Sequence, residues 1–68
     1  MEKYGQTLTP KEGDVVRLVS KGKSRKEIAY ELGVAKGTVD THFKRIFLKL
    51  QTRSMVETAL WAIRNGFQ

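Results

Sequence analysis

Apolar residues recur along this chain at intervals of three and four positions, and no segment alternates strictly between apolar and polar residues. Four sets stand out: Val15, Val16, Leu18 and Val19; Ile28, Ala29 and Leu32; Val39, Phe43, Ile46 and Leu50; and Met55, Val56, Ala59, Leu60, Ala62 and Ile63. Because an α-helix turns by about 100° per residue, this spacing collects each set on one side of a helix. The pattern predicts an all-α fold of four helices.

Three of these helices have a recognisable first turn. Thr9-Pro10-Lys11-Glu12, Ser24-Arg25-Lys26-Glu27 and Ser54-Met55-Val56-Glu57 each carry a hydroxyl residue three positions before a glutamate. In such a capping box the hydroxyl and the carboxylate each accept a backbone N–H that the first helical turn leaves unpaired. Since glycine readily adopts the left-handed conformation of a helix end, these helices are predicted to stop near the following glycines: Gly22, Gly33 and Gly66.

Length and composition allow one small domain and exclude several chemistries. The 68 residues include no cysteine and one histidine, so disulfides, thiolate or histidine-pair metal sites and a cysteine nucleophile are excluded. No apolar run approaches the roughly 20 residues that a membrane span needs. We therefore expect residues 1–7 to be a flexible lead-in and residues 8–68 to be a cytoplasmic domain without enzymatic activity, cofactor, metal or membrane partner.

The remaining helix is predicted from residue 36 to about residue 50. It has no capping side chain at its start, and its outward side is mostly polar. Ala35 occupies its N-cap position, where a methyl side chain cannot accept a hydrogen bond. The short link Gly33-Val34-Ala35 before it is typical of the tight turn in a helix-turn-helix unit. Away from its apolar stripe the helix carries polar residues and one glycine: Gly37, Asp40, Thr41, His42, Lys44, Arg45 and Lys49.

Basic residues concentrate around this helix. Residues 21–53 carry nine lysines and arginines against the three acids Glu27, Glu31 and Asp40, and the rest of the chain balances four bases with four acids. The whole net charge of +6 therefore lies in one segment. Such a segment is typical of a protein that binds a polyanion, although the solvated surface of a small domain has a similar composition. Together with a helix-turn-helix, whose second helix enters the DNA major groove, it favours DNA binding.

The order and spacing of particular residues carry a more specific signal. They are Leu8-Thr9-Pro10-Lys11-Glu12, Gly22, Glu27-Ile28-Ala29, Leu32, Thr38-Val39, His42, Ile46, Lys49-Leu50, Ser54 and Glu57. Over residues 8 to about 65 this pattern resembles the LuxR/GerE-type DNA-binding domain of bacterial transcription factors, and no gap is required. The resemblance implies a four-helix helix-turn-helix domain, usually the C-terminal output domain of a response regulator or of an autoinducer-binding regulator.

The resemblance also implies roles for individual residues. The third helix would read the major groove of double-stranded DNA, and the fourth would form a homodimer on a roughly palindromic site. The resemblance assigns base edges to Asp40, Thr41 and Lys44, and phosphates to Thr38, His42 and Lys49. We expect Lys36, Gly37 and Arg45 of the same helix to contact phosphates as well. The dimer interface is assigned to Met55, Thr58, Trp61, Ala62 and Asn65. A regulatory domain or a partner protein is the further partner that the family implies.

Two features of the last helix bear on the dimer assignment. Its apolar residues spread over an arc of roughly 160°, which is wider than one small core requires. Trp61 projects from the other side, beside Thr58 and Asn65. An indole placed there suits a protein interface, or it lies flat across the surface of the domain.

Four positions depart from the family pattern. A capping residue is usual at position 35 and a basic residue is frequent at position 40, where this chain has Ala35 and Asp40; Met55 and Thr58 replace the common arginine and alanine. A DNA phosphate could complete the uncapped helix start, and Gly37 would permit its close approach. Asp40 is interpreted either as a favourable charge in the first helical turn or as an acceptor for cytosine N4. The alternative function, favoured by Ala35 and Asp40, is a protein-interaction module that retains the scaffold without binding an operator.

Overall fold

The computed structural model describes residues 8–67 and forms four α-helices and no strand in that range. They are α1 (Pro10–Ser20), α2 (Arg25–Leu32), α3 (Lys36–Leu50) and α4 (Met55–Arg64). The predicted all-α class and the position of each helix are therefore confirmed. The predicted lead-in, residues 1–7, lies outside the described residues.

The first turns of α1 and α2 are the predicted capping boxes. Thr9 Oγ1 accepts the Glu12 N–H at 3.2 Å, and Glu12 Oε1 accepts the Thr9 N–H at 3.0 Å. Ser24 and Glu27 exchange the same two hydrogen bonds at 3.1 and 2.8 Å. Both helices therefore have their starting positions fixed by local sequence.

The first turn of α4 has only half of the predicted capping box. Ser54 Oγ accepts the Glu57 N–H at 3.1 Å, but the Glu57 carboxylate accepts the Arg53 N–H at 2.7 Å. Ser54 has a φ of −152°, against −78° for Ser24, and this rotation changes the direction of its own N–H. The predicted bond from the Ser54 N–H to Glu57 is therefore wrong.

The core lies where the four helices meet. The first three apolar sets point inward as predicted, except that Leu18 and Leu32 are only partly buried. Helix α1 packs along α4, and α2 packs against α3. The core residues are Val15, Val16, Val19, Ile28, Ala29, Val39, Phe43, Ile46, Leu50 and Ala62. No helix within the described residues is long and apolar enough to cross a membrane.

Candidate nucleic-acid interface

Burial of one side of α3 determines which residues it presents to solvent. Val39, Phe43, Ile46 and Leu50 are buried beneath the helix. The exposed residues of the helix include Lys36 in its first position, together with Gly37, Thr38, Thr41, Lys44, Arg45 and the apolar Leu48. The first six are predicted DNA contacts, and we call these six accessible residues the α3 face.

The N-terminus of α3 opens onto the α3 face without a side-chain cap. Ala35 has the extended backbone of an N-cap residue, with φ −72° and ψ 153°, and its side chain accepts no hydrogen bond. Gly37 is exposed, and a Cβ added to it would have no other atom within 4 Å. Thr41 Oγ1 donates to the Gly37 carbonyl at 3.2 Å, so the Thr41 hydroxyl oxygen stays available as an acceptor. The first turn is thus open to an external group.

Asp40 does not occupy the first turn of α3. The helix begins at Lys36, which makes Asp40 its fifth residue, one turn beyond the free N–H groups. The interpretation of Asp40 as a favourable first-turn charge is therefore wrong. Its Oδ1 instead accepts a hydrogen bond from Arg25 Nη1 at 3.2 Å, which forms an ion pair between α3 and α2. The predicted contact with cytosine N4 stays a prediction.

Arg25 is a residue of this region that the sequence patterns did not single out. Besides its ion pair with Asp40, its Cζ lies 5.0 Å from the centroid of the Phe43 ring. Its Nε donates to Met55 Sδ at 3.4 Å, at the start of α4. The available signal was an aspartate in a strongly basic segment, where a nearby cation can pair with it.

Lys49 differs from the other predicted phosphate contacts because its charge is already paired. Its Nζ donates to Glu12 Oε1 at 2.7 Å, and the side chains of Lys49 and Glu12 are 31% and 2% exposed. A buried carboxylate requires such a partner. Lys49 therefore has an internal partner that joins the end of α3 to the start of α1, and its phosphate contact stays a prediction.

His42 lies on the same flank of α3 as Lys49 and is half-buried. Its Nδ1 is buried and has no hydrogen-bond partner within the described residues. Its contact with a phosphate stays a prediction. Within residues 8–67 no group of three or more histidine, cysteine, aspartate or glutamate residues is placed to hold a metal ion.

The dimer residues predicted on α4 divide into buried and accessible ones. Thr58 and Ala62 are both 0% exposed, so their assignment to a dimer interface is wrong. The side of α4 that carries them faces the core, and the Thr58 hydroxyl donates to the Ser54 carbonyl at 2.9 Å. Met55, Trp61 and Asn65 are half-buried.

The exposed apolar residues of α4 lie elsewhere on the helix. Val56, Leu60 and Ile63 are 69%, 46% and 49% exposed, and we call these three residues the α4 apolar face. Trp61 packs against Phe67 with a distance of 5.6 Å between the ring centroids. The wide apolar arc thus corresponds to an exposed apolar face, whereas the indole is half-buried against Phe67, and the assignment of Trp61 to a dimer interface stays a prediction.

Comparison of the sequence with known proteins identifies the family to which the chain belongs. Residues 6–62 match the family described as bacterial regulatory proteins, luxR family. The chain is 48% identical over 60 residues to the Mycobacterium bovis protein Mb0914c, whose name describes an HTH-type transcriptional regulator; the match covers 88% of this chain and 7% of that protein. It is 39% identical over 54 residues to the nitrate/nitrite response regulator NarL of Escherichia coli K12, covering 79% of this chain and 25% of NarL.

A third relative is the transcriptional regulatory protein YhcZ of Bacillus subtilis. The identity is 41% over 63 residues, covering 93% of this chain and 29% of YhcZ. The chain therefore belongs to the luxR family of bacterial regulatory proteins and is a helix-turn-helix domain of DNA-binding transcription regulators. It spans less than a third of the length of these three relatives.

Proposed function

We propose that this domain binds double-stranded DNA sequence-specifically, with α3 in the major groove. The observation that carries the proposal is the α3 face, on which six polar or glycine residues are exposed over a fully buried apolar stripe. This face belongs to the segment that holds the whole net charge of +6. A basic, outward-facing second helix of a helix-turn-helix is the arrangement that reads base edges.

The proposed contacts follow from the exposed residues. Thr41 and Lys44 meet base edges, because both are exposed on the side of α3 that faces away from its buried stripe. The open first turn of α3 receives a phosphate at its free N–H groups, since helix N-termini bind anions. The remaining phosphate contacts are assigned to Lys36, Gly37, Thr38, His42 and Arg45.

The same proposal includes a homodimer through α4. Val56, Leu60 and Ile63 supply an exposed apolar centre, and the half-buried Met55, Trp61 and Asn65 lie on the same helix. Two copies related by a two-fold axis would bind a roughly palindromic site. In a longer parent protein a regulatory domain or a partner would control this unit in the cytoplasm; the named function of NarL, a response regulator, supports this part of the proposal.

The test is selection from a random duplex library at two salt concentrations, followed by sequencing of the retained duplexes. Enrichment of a two-fold symmetric motif is expected. Retention that depends on salt but enriches no motif would mean that the domain contacts only the DNA backbone. No retention at either salt concentration would contradict the proposal and favour a protein-interaction module.

Direct readout has its own test in Lys44→Ala. Because Lys44 is proposed to contact a base, this variant should lose about 1–3 kcal/mol of binding free energy on the selected site and discriminate less at one base pair. An equal loss on every duplex would instead make Lys44 a phosphate contact.

A further inference from the structure

The ion pair between Arg25 and Asp40 adjoins the α3 face without having a part in the contacts proposed so far. Asp40 lies four residues after Lys36 and four residues before Lys44, and residues four apart are neighbours on a helix surface. The guanidinium held by Asp40 is therefore next to two of the proposed DNA contacts. It comes from the first residue of a different helix, α2.

The guanidinium of Arg25 is restrained by three separate groups. Nη1 donates to Asp40 at 3.2 Å, Nε donates to Met55 Sδ at 3.4 Å, and Cζ lies 5.0 Å from the centroid of the Phe43 ring. These contacts use N–H groups on Nη1 and Nε and do not engage the Nη2 amino group. Since the Arg25 side chain is still 39% exposed, the group is both oriented and accessible.

Orientation and charge together distinguish this pair from a simple surface lysine. A carboxylate alone at position 40 would repel DNA phosphates, but the pair with Arg25 is neutral. Its remaining N–H groups are directional donors, and a guanidinium fork matches the O6 and N7 acceptors of guanine. Restraint before binding also reduces the side-chain entropy that is lost on contact.

We propose that Arg25 is a specificity-determining residue that donates to a guanine in the major groove, and that Asp40 is the positioning residue that orients it. This inference rests on the proposed DNA-binding function and reassigns the base contact of Asp40 to its partner. Asp40 acts through the guanidinium and does not itself touch the base.

The test is a double-mutant cycle on the duplex selected by the unmodified chain and on its single-base-pair variants. Arg25→Ala should weaken binding to the selected duplex by about 10-fold or more and abolish the preference for guanine at one base pair. Asp40→Ala should weaken binding by a smaller factor and reduce the same preference. The double variant should show no guanine preference, as Arg25→Ala does, and should bind all duplexes as tightly as Arg25→Ala or somewhat more tightly, because an Asp40 without its partner only repels phosphates.

Two further sets of variants separate this effect from folding and from charge. Arg25→Lys keeps the charge but not the fork, so it should keep the salt dependence of binding and lose the guanine preference. The matched control is the pair Arg17 and Asp14 on α1, with an Nη1 to Oδ1 distance of 3.7 Å and Arg17 Cζ 4.8 Å from the Phe67 ring centroid. Arg17→Ala and Asp14→Ala should change DNA affinity by less than about twofold and alter no base preference.

Different failures have different meanings. If Asp40→Ala raises affinity equally for all duplexes, Asp40 only repels phosphates and the inference is overturned. An equal loss on all duplexes in Arg25→Ala would make Arg25 a phosphate contact, which also overturns it. Both results leave the proposed function standing, whereas failure of the unmodified chain to enrich any motif would overturn the proposed function and this inference together.

Discussion

At the residue scale, the Glu12 carboxylate has two structural roles. It accepts the Thr9 N–H at the start of α1 and the Lys49 ammonium from the end of α3. Burial on its own would raise the pKa of Glu12, but the hydrogen bonds from Lys49 and Thr9 and the charge of Lys49 outweigh it and lower that pKa below its ordinary value. The carboxylate therefore stays ionised inside a very small domain.

Removing Lys49 should destabilise the fold. Lys49→Ala leaves the buried Glu12 carboxylate without its cation, and we expect the free energy of unfolding to fall by about 3 kcal/mol. Lys44→Ala is the control on the same helix, because Lys44 is exposed and a change there should stay within about 0.5 kcal/mol. Urea unfolding at pH 7 measures both values, and equal stability of the two variants would contradict the internal role of Lys49.

The lowered pKa of Glu12 predicts the pH dependence of stability. The unfolded chain binds the proton more readily than the folded protein, so the free energy of unfolding decreases as the pH falls. The contribution is complete above the ordinary glutamate pKa of about 4.3 and is lost as the pH falls through the lower folded pKa. The difference in stability between the unmodified chain and Glu12→Gln should therefore be constant from about pH 7 to pH 5 and narrow below about pH 4.

The control for this experiment is Glu31→Gln. Glu31 forms an exposed ion pair with Lys23 at 3.2 Å, so the change should alter the free energy of unfolding by less than about 1 kcal/mol at either pH. If the difference in the free energy of unfolding between the unmodified chain and Glu12→Gln does not narrow below about pH 4, the ionised carboxylate of Glu12 contributes nothing to stability.

At the element scale, α3 is the only one of the four described helices that starts without a side-chain cap, because Ala35 has a methyl group. Ala35 already has the φ and ψ of an N-cap residue, so a serine there needs no backbone change. Ala35→Ser should raise the free energy of unfolding by about 0.5–2 kcal/mol in the absence of DNA. Thermal unfolding measures this gain. The control is Ser24→Ala, which removes the cap of α2 and should lower the free energy of unfolding by a similar amount. No gain would mean that the free N–H groups of α3 are adequately satisfied by water.

The local signals that predict helices succeeded here, and the tertiary pairings could not be predicted in the same way. Capping residues and apolar spacing act within one turn, which is why the helix starts at Pro10, Arg25 and Lys36 followed from the sequence. The partners of Lys49 and Asp40 lie 37 and 15 positions away, and only the packing of α3 on α1 and α2 brings them together. Helical periodicity predicts which side of its helix a residue lies on, but it does not predict which residue of another helix will contact it.

In helix α4 the spacing of apolar residues does not predict even which side of the helix is buried. Its apolar arc of roughly 160° is wider than the core requires, and Trp61 lies on the other side, so the pattern does not state which part of the helix is buried. Thr58 is polar, yet it is buried because its hydroxyl lies 2.9 Å from both the Ser54 carbonyl and Thr52 Oγ1. A buried hydroxyl that bonds to its own helix costs little. The prediction that Thr58 faces a second copy was wrong for this reason.

At the scale of the whole molecule, the proposed DNA contacts and the α4 apolar face lie on different helices, although α3 also has one exposed apolar residue, Leu48. The α3 face carries the proposed DNA contacts, and the α4 apolar face is free of charged residues. Such a division lets two copies meet through α4 while each presents α3 to one half-site. A mutation on α4 can therefore test the proposed dimer without changing the proposed DNA contacts on α3.

Leu60→Lys is the variant that separates them. A lysine on the α4 apolar face places like charges opposite each other in a two-fold dimer, while its added positive charge does not repel DNA. Affinity for a duplex with two half-sites should fall about tenfold, and affinity for a single half-site should be unchanged or slightly higher. Tyr30→Lys adds the same charge at an exposed position of α2 and controls for electrostatics.

Fluorescence anisotropy measures the affinity of both variants for both duplexes. If Leu60→Lys binds the two-half-site duplex as tightly as Tyr30→Lys does, the two copies meet through a surface other than α4.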